Sequence, residues 1–252
     1  MSRRIYGVGP VKELVRARPK SIVALYADPG RVDRPDDPVS GVVAAARHAG
    51  IVVELRPRTQ LDAMAEAGAR HQGVIAVAGE LANVDVADIV ALAAARGEPP
   101  LVVALDGVQD PHNLGAIIRS AYLLGAHGVI VPTHRAAGVT AAVTKASAGA
   151  TELIAIAQVT NLVRALGELK EAGVWLAAIH DAPEARPLAQ LDGTGPLGLV
   201  LGSEGEGVRT LVARTCDFHA VIPMAGQGVG SFNVSVAGAI ALYEIARQRA
   251  AT

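Results

Sequence analysis

The sequence predicts an α/β protein in two parts: a C-terminal, mostly parallel sheet with helices on both faces, preceded by a small α/β unit. Three observations predict it. Beyond Pro100, short apolar runs alternate regularly with helical stretches, the pattern of parallel strands joined by crossover helices. Before residue 80, three β-rich runs are punctuated by the breakers Asp28-Pro29-Gly30 and Arg34-Pro35-Asp36-Asp37-Pro38. The length, 252 residues at 51% hydrophobic and 19% charged, suffices for one large or two modest cores.

In chain order, strands are expected at 21–26, 51–55 and 73–78. Helical spacing covers 39–49 and 61–70, so 1–78 forms one small unit. Residues 86–96 suit an alanine-rich helix that Gly97-Glu98-Pro99-Pro100 stops, and the connection between domains is placed at 79–99. Residues 100–252 form the second domain. Its strands are expected at 101–105, 128–131, 153–157, 174–179, 197–201 and 219–222, with helices at 114–125, 139–148, 161–172, 207–215 and 234–249. Ligands of such sheets bind beyond the carboxyl ends of the strands.

Composition narrows the function. The single cysteine, Cys216, excludes an intrachain disulfide framework and a cysteine-rich zinc site. The seven histidines form no ligand-spaced cluster, so no metal is expected. No apolar run reaches the roughly 18 residues of a membrane helix and the start lacks a secretory signal, so a cytoplasmic protein with no membrane partner is expected. The net charge of −1 does not announce a nucleic-acid binder. Its distribution says more: residues 1–80 carry +3 and the rest −4, with Arg3, Arg4, Lys12, Arg16, Arg18 and Lys20 opposed only by Glu13 at the start. That cluster reads either as a surface for phosphates or as a solvated helix face. With only 3% aromatic residues, a platform of stacked bases is disfavoured, and arginine and backbone contacts would have to read any RNA.

Three loops carry chemistry. The first runs Asp106-Gly107-Val108-Gln109-Asp110-Pro111-His112-Asn113-Leu114-Gly115 and on to Arg119. Asn113 can cap the helix that opens there, and Arg119 would lean back over Gly115 toward the helix start, offering an anion site. An ordinary cap with a surface arginine is the plainer reading. The second, Leu201-Gly202-Ser203-Glu204-Gly205-Glu206-Gly207, follows a strand directly. Its glycines admit a ligand close to the main chain, and it sets Glu204 at the strand's carboxyl end. The alternative is a glycine-rich turn with no ligand. The third, Ile222-Pro223-Met224-Ala225-Gly226-Gln227-Gly228-Val229-Gly230-Ser231-Phe232-Asn233, leads into the last helix, which Ser231 or Asn233 can cap. It fails the dinucleotide fingerprint because Ser231 stands in place of the last glycine, and no phosphate-loop motif occurs.

In order and spacing, D-G-V-Q-D-P-H-N-L-G-A-I-I-R-S, L-V-L-G-S-E-G-E-G-V-R and I-P-M-A-G-Q-G-V-G-S-F-N-V-S-V-A resemble the three signature motifs of the SpoU-type RNA 2′-O-ribose methyltransferases, of the SPOUT class. The opening I-Y-G-V-G-P-V-K-E-L is similar to the start of the RNA-binding domain of the bacterial 23S rRNA guanosine-2′-O-methyltransferase branch. The resemblance implies a C-terminal trefoil knot, a homodimer with the active site at the subunit interface, and S-adenosylmethionine as cofactor. It also implies an RNA substrate, 23S rRNA first, bound through residues 1–78. By motif position, Asn113, Arg119, Glu204, Ser231 and Asn233 would be catalytic. The main chain around Leu201, Gly202, Ile222, Met224 and Phe232 would hold the cofactor. The third motif departs from the family pattern by one extra residue and by Phe232 in place of leucine, which bears on the backbone contacts to the cofactor.

Guanidinium stays protonated to about pH 12, so Arg119 is expected to position and stabilise charge rather than act as base. A tRNA or another rRNA site is the alternative substrate; a knotted RNA-binding module without catalysis is the alternative of a different class. The last helix offers Ala237, Gly238 and Ala241, with Leu242 and Ile245 nearby, either to a second subunit or to its own sheet.

Overall fold

The computed structural model describes residues 2–66, 69–82, 84–134, 136–203, 205–226 and 230–251, and counts below are of these residues. Two compact units emerge: residues up to Ala82 with the segment Val139–Leu153, and the remainder of the chain.

The first unit is built on strands β1 (Arg3–Tyr6), β2 (Ile22–Ala27), β3 (Val53–Leu55) and β4 (Val74–Ala78), with helices α1 (Val8–Ala17), α2 (Pro29–Val32), α3 (Pro38–His48) and α4 (Arg58–Met64). The sheet order is β1-β4-β2-β3; β1 and β2 run antiparallel to β4, and β3 is parallel to β2. Alternation along a strand sends neighbouring side chains to opposite faces. Thus Ile5 joins Leu14, Leu25 and Val43 in one cluster, while Tyr6 joins Leu61 and Ile75 in another. Strand β1 and helix α1 went unassigned in the sequence, where arginines fill half the strand. Helix α4 ends at Met64, short of the expected 70, and Ala67 and Gly68 lie outside the described residues.

The segment expected as a crossover helix at 139–148 is the short α7 (Ala141–Ala146), capped by the Thr140 side chain. It groups with the N-terminal unit rather than with the large sheet. Glu152, buried at the end of this segment, explains the grouping: Arg3 grips it with two bonds of 2.9 and 3.1 Å, and Arg18 lies 3.6 Å away. Arg16 pairs with Glu13. Half of the six-residue basic cluster is therefore engaged in internal ion pairs.

The second unit comprises α5 (Val86–Arg96), β5 (Leu101–Asp106), α6 (Pro111–Leu123), β6 (Gly128–Pro132), β7 (Ala155–Val159), α8 (Leu162–Glu171), β8 (Trp175–Ile179), β9 (Arg186–Pro187), β10 (Leu197–Gly202), α9 (Thr210–Thr215), β11 (Phe218–Val221) and α10 (Val234–Ala250). The expected helix at 86–96 is α5, and Ile89 and Ala93 place it in this unit's core. Every pairing in the seven-stranded sheet is parallel, in the order β7-β6-β5-β10-β8-β11-β9. β5 and β10 are buried at every position, which requires cover on both faces. One face carries Val102, Ala104, Leu176 and Val200 under α5, α8 and α9. On the other, α10 lies so close to β10 that a Cβ at Gly238 would come within 2.8 Å of Leu201 Cδ1. Ala241, Leu242 and Ile245 are fully buried, so the small-residue stripe of the last helix packs on its own sheet.

The chain steps from β5 through β6 to β7 in one direction, then restarts at β8 on the other side of β5 with β10 filling the gap. A reversal of this kind leaves a crevice beyond the strand ends, and all three loops converge there.

Candidate active site

The first loop opens α6 differently from the expectation. Asp110 is the cap: its carboxylate accepts from His112 N at 2.9 Å, and Pro111 takes the first helical position. Asp-Pro outcompetes Asn113 because proline needs no partner for the first orphan donor and its fixed φ suits the helix. Asn113 is thereby carried into the first turn and buried. Its Oδ1 accepts a hydrogen bond from Asn233 Nδ2 at 3.1 Å. Arg119 sits in the third turn, exposed, about 12 Å along the axis from Pro111 at the usual rise per residue, not beside the first-turn N–H groups.

The second loop is a tight hairpin. Ser203 and Gly207 exchange bonds of 3.1 and 3.0 Å, and Gly205 and Gly207 adopt left-handed backbone with φ of 87° and 65°. Side chains other than glycine are strained there. A Cβ at Gly202 would overlap the backbone of Gly207 and Val208, so the strand's last residue must lack a side chain. Glu204 lies outside the described residues.

A polar clamp holds this hairpin. The buried carboxylate of Asp106, at the end of β5, accepts from Arg209 N at 2.8 Å and Arg209 Nε at 2.7 Å, with Nη2 at 2.6 Å. The bond to Asp106 leads the effects that raise the Arg209 pKa above its ordinary value. Sequence reasoning passed over both residues; the available signal was an acid closing a wholly apolar strand.

In the third loop Asn233 caps α10, its Oδ1 accepting from Ser235 N at 2.9 Å and Ser235 Oγ at 2.6 Å. The Asn113–Asn233 bond thus ties the third loop to the first, as Asp106–Arg209 ties the second to the first. Residues 227–229 lie outside the described residues.

Between the second and third loops lies a cavity of about 480 Å³, within the usual range for small-molecule sites. Leu201, Gly202, Ile222, Met224, Ser231 and Phe232 all line it, whereas Asn113, Arg119 and Asn233 do not appear in its lining. Ile179, Val208 and Ala237 add apolar wall; His180, Asp181, Ser203 and Glu206 add polar groups outside the residues singled out in the sequence. The chemistry suits S-adenosylmethionine. An apolar wall fits the adenine, backbone left bare by Gly202 and Gly207 can approach it, and the carboxylates of Asp181 and Glu206 suit a sulfonium cation.

Comparison with known proteins agrees with this geometry. The model of the SpoU rRNA Methylase family matches residues 100–243, and that of RNA 2′-O ribose methyltransferase substrate binding matches residues 4–84. The chain is 43% identical over 250 residues to a 23S rRNA (guanosine-2′-O-)-methyltransferase, RlmB, of Coxiella burnetii, covering 99% of this chain and 97% of the relative. It is 43% identical over 208 residues to the TrmH family tRNA/rRNA methyltransferase YacO of Bacillus subtilis, covering 82% of each. Among solved structures, the SpoU methyltransferase AviRb of Streptomyces viridochromogenes in complex with the cofactor AdoMet aligns with a TM-score of 0.79 at 26% identity, covering 100% of this chain and 92% of that one. The chain belongs to the SpoU rRNA methylase family.

Proposed function

We infer that the protein transfers the methyl group of S-adenosylmethionine to a ribose 2′-hydroxyl, that of a guanosine in 23S rRNA. The observation that carries this reading is the convergence of Leu201 and Gly202 with Ile222, Met224, Ser231 and Phe232 on one cavity at the strand ends, in a chain 43% identical over nearly its whole length to an enzyme named for that reaction. When bound, the cofactor supplies an electrophilic methyl on sulfur. The methyl–sulfur bond breaks as the oxygen–methyl bond forms, and the hydroxyl proton leaves to phosphate or water.

What the chain contributes is alignment, which can be worth about 7–11 kcal/mol in well-oriented systems. Leu201, Gly202, Ile222, Met224 and Phe232 hold the donor. Asn113 and Asn233, bonded to each other, fix the third loop against α6, and Ser231 presents its hydroxyl to the cavity. Glu204 is assigned to orient the ribose. Arg119 binds the RNA phosphate and stabilises charge. Its exposure, away from the cavity of its own chain, fits a homodimer in which it serves the partner's site across a trefoil-knotted interface. Leu123 on α6 and Val236 and Tyr243 on α10, all exposed, supply apolar surface for that contact. Residues 1–78 select the RNA, and an RNA substrate makes the protein cytoplasmic.

The test is mass-spectrometric mapping of ribose methylation on ribosomal RNA incubated with the protein and isotopically labelled cofactor. The expected product is 2′-O-methylguanosine at a single 23S position. Label in tRNA instead would reassign the substrate within the family, and no label in any RNA would leave a binding module.

A further inference from the structure

A histidine pair stands at the edge of the cavity, outside all three motifs. His180 follows the last residue of β8, and His219 lies in the neighbouring parallel strand β11. His180 N donates to Ala220 O at 3.0 Å, which fixes the backbone between them. The rings are 5.0 Å apart, with Nε2 of His180 2.7 Å from Nδ1 of His219. On its far side, Nε2 of His219 is 3.9 Å from Glu184 Oε1. Of the pair, only His180 lines the cavity.

The Glu184 carboxylate biases the tautomers of the pair. The nearby Glu184 carboxylate favours the proton of neutral His219 on Nε2, leaving Nδ1 to accept. His180 must then carry its own proton on Nε2 to make the 2.7 Å bond. Its Nδ1 makes no hydrogen bond among the described residues and keeps a free lone pair, on a ring that lines the cavity. Adding a proton to the pair reverses this, turning Nδ1 into an N–H and placing a positive charge at the cavity edge.

We propose that His180 is a cofactor-binding residue: in its neutral state it accepts a hydrogen bond from S-adenosylmethionine through Nδ1, with His219 and Glu184 as positioning residues that hold its tautomer. This rests on the cofactor occupying the cavity between the second and third loops. The donors available on the cofactor are the adenine amino group, the ribose hydroxyls and the α-ammonium. Its sulfonium and ammonium charges make a protonated His180 unfavourable.

The surrounding charges decide the resting state. Burial foremost, then His219, pushes the His180 pKa below the usual histidine value, against Glu184 and Asp181, which pull it up. Glu206 faces the cavity from the second loop, and Arg186 lies on β9 beside β11. The described lining of the third loop and α10 contributes no charged group. Neutral His180 therefore prevails at neutral pH.

The experiment is the dissociation constant of S-adenosylmethionine and of S-adenosylhomocysteine, measured calorimetrically from about pH 8 to about pH 4.5, well below the ordinary histidine value. Wild-type protein should bind with constant affinity near the top of that range. It should then weaken toward about tenfold per pH unit once one proton competes with the ligand. The loss should be larger for S-adenosylmethionine, since the homocysteine product lacks the sulfonium charge. His180→Asn, whose Oδ1 takes the place of Nδ1 as an acceptor that does not titrate, should bind within about threefold of wild type at the upper pH and lose the slope.

Nitrogen-15 histidine spectra give a second readout. His180 Nδ1 should be unprotonated in the free protein and should shift on saturation with cofactor, and His219→Gln should disturb that tautomer. A flat wild-type profile, an unchanged slope in His180→Asn, or a protonated or unmoved Nδ1 would overturn the contact. Ala237→Leu, which narrows the cavity from α10 without touching the glycine hairpin, separates the two readings. Lost binding in that variant with a flat wild-type profile keeps the cavity and removes His180; undiminished binding removes both.

Discussion

Arg119 illustrates what a residue's position in the chain does and does not reveal. The motif singles it out, but its environment is a solvent-facing third turn, so the role proposed for it calls for RNA and for the second subunit of the proposed dimer. Arg119→Ala should cut methylation about 10²–10³-fold, the scale for losing one preorganised charge-stabilising donor. Arg119→Lys, which keeps charge but not the two-pronged fork, should fall in between. Turnover near wild type in the alanine variant would remove Arg119 from the mechanism, and cofactor affinity should be unchanged in both. Cys216 makes the opposite case. Burial pushes its thiol up to about 12, so it should stay unalkylated by iodoacetamide at about pH 8 in folded protein and react once denatured. Rapid labelling of the native state would show that this part of the core opens.

At the scale of elements, the motif loops are ordered by polar ties that hydrophobic patterning does not encode. Apolar runs located the central strands of the seven-stranded sheet because β5, β6 and β10 are buried at every position; β10 and β5 need no charge except where a loop must be held. Asp106 is that exception. Arg209→Ala would leave its carboxylate buried with only the backbone N–H of residue 209 remaining from that clamp, costing about 1–3 kcal/mol after allowance for the half-exposed arginine. Because the loss falls on the glycine hairpin, cofactor affinity should drop together with the melting temperature; a change in neither would show the clamp to be dispensable.

His127 tests a second tie. Its Nδ1 accepts from Leu101 N at 3.0 Å and its Nε2 meets Glu98 at 3.0 Å, joining the start of β5 to the end of α5. Burial, the leading effect, lowers its pKa despite Glu98. The unfolded chain therefore takes up the proton first. The stability that neutral His127 contributes is present above about pH 6.5 and is lost as pH falls below it. Melting temperatures measured across that window should fall more steeply for wild type than for His127→Gln, and parallel curves would contradict the assignment. Neither tie was legible in the sequence, since each depends on partners brought together by the fold. The same holds for Asn113, whose capping role passed to Asp110 because the Asp-Pro pair three residues earlier starts the helix sooner.

For the whole molecule, the division into a small mixed sheet and a large parallel one was readable from breakers and alternation, whereas the assignment of 139–153 was not. The contact that places it is the grip of Arg3 and Arg18 on buried Glu152, far away in sequence. The same pairs reinterpret the basic N-terminus. Lys12 and Lys20 are exposed, so replacing both with glutamine should weaken RNA binding and reduce its salt dependence by about two phosphate contacts, leaving cofactor affinity intact. An unaltered salt slope would place the RNA elsewhere.

The central claim is that bare backbone at the ends of β10 and β11 cradles the methyl donor. A crystal structure of the complex with S-adenosylmethionine tests it most directly. Electron density for the donor against Leu201–Gly202 on one side and Ile222–Phe232 on the other is the predicted result; a donor bound anywhere else, with that cavity filled only by water, would contradict it.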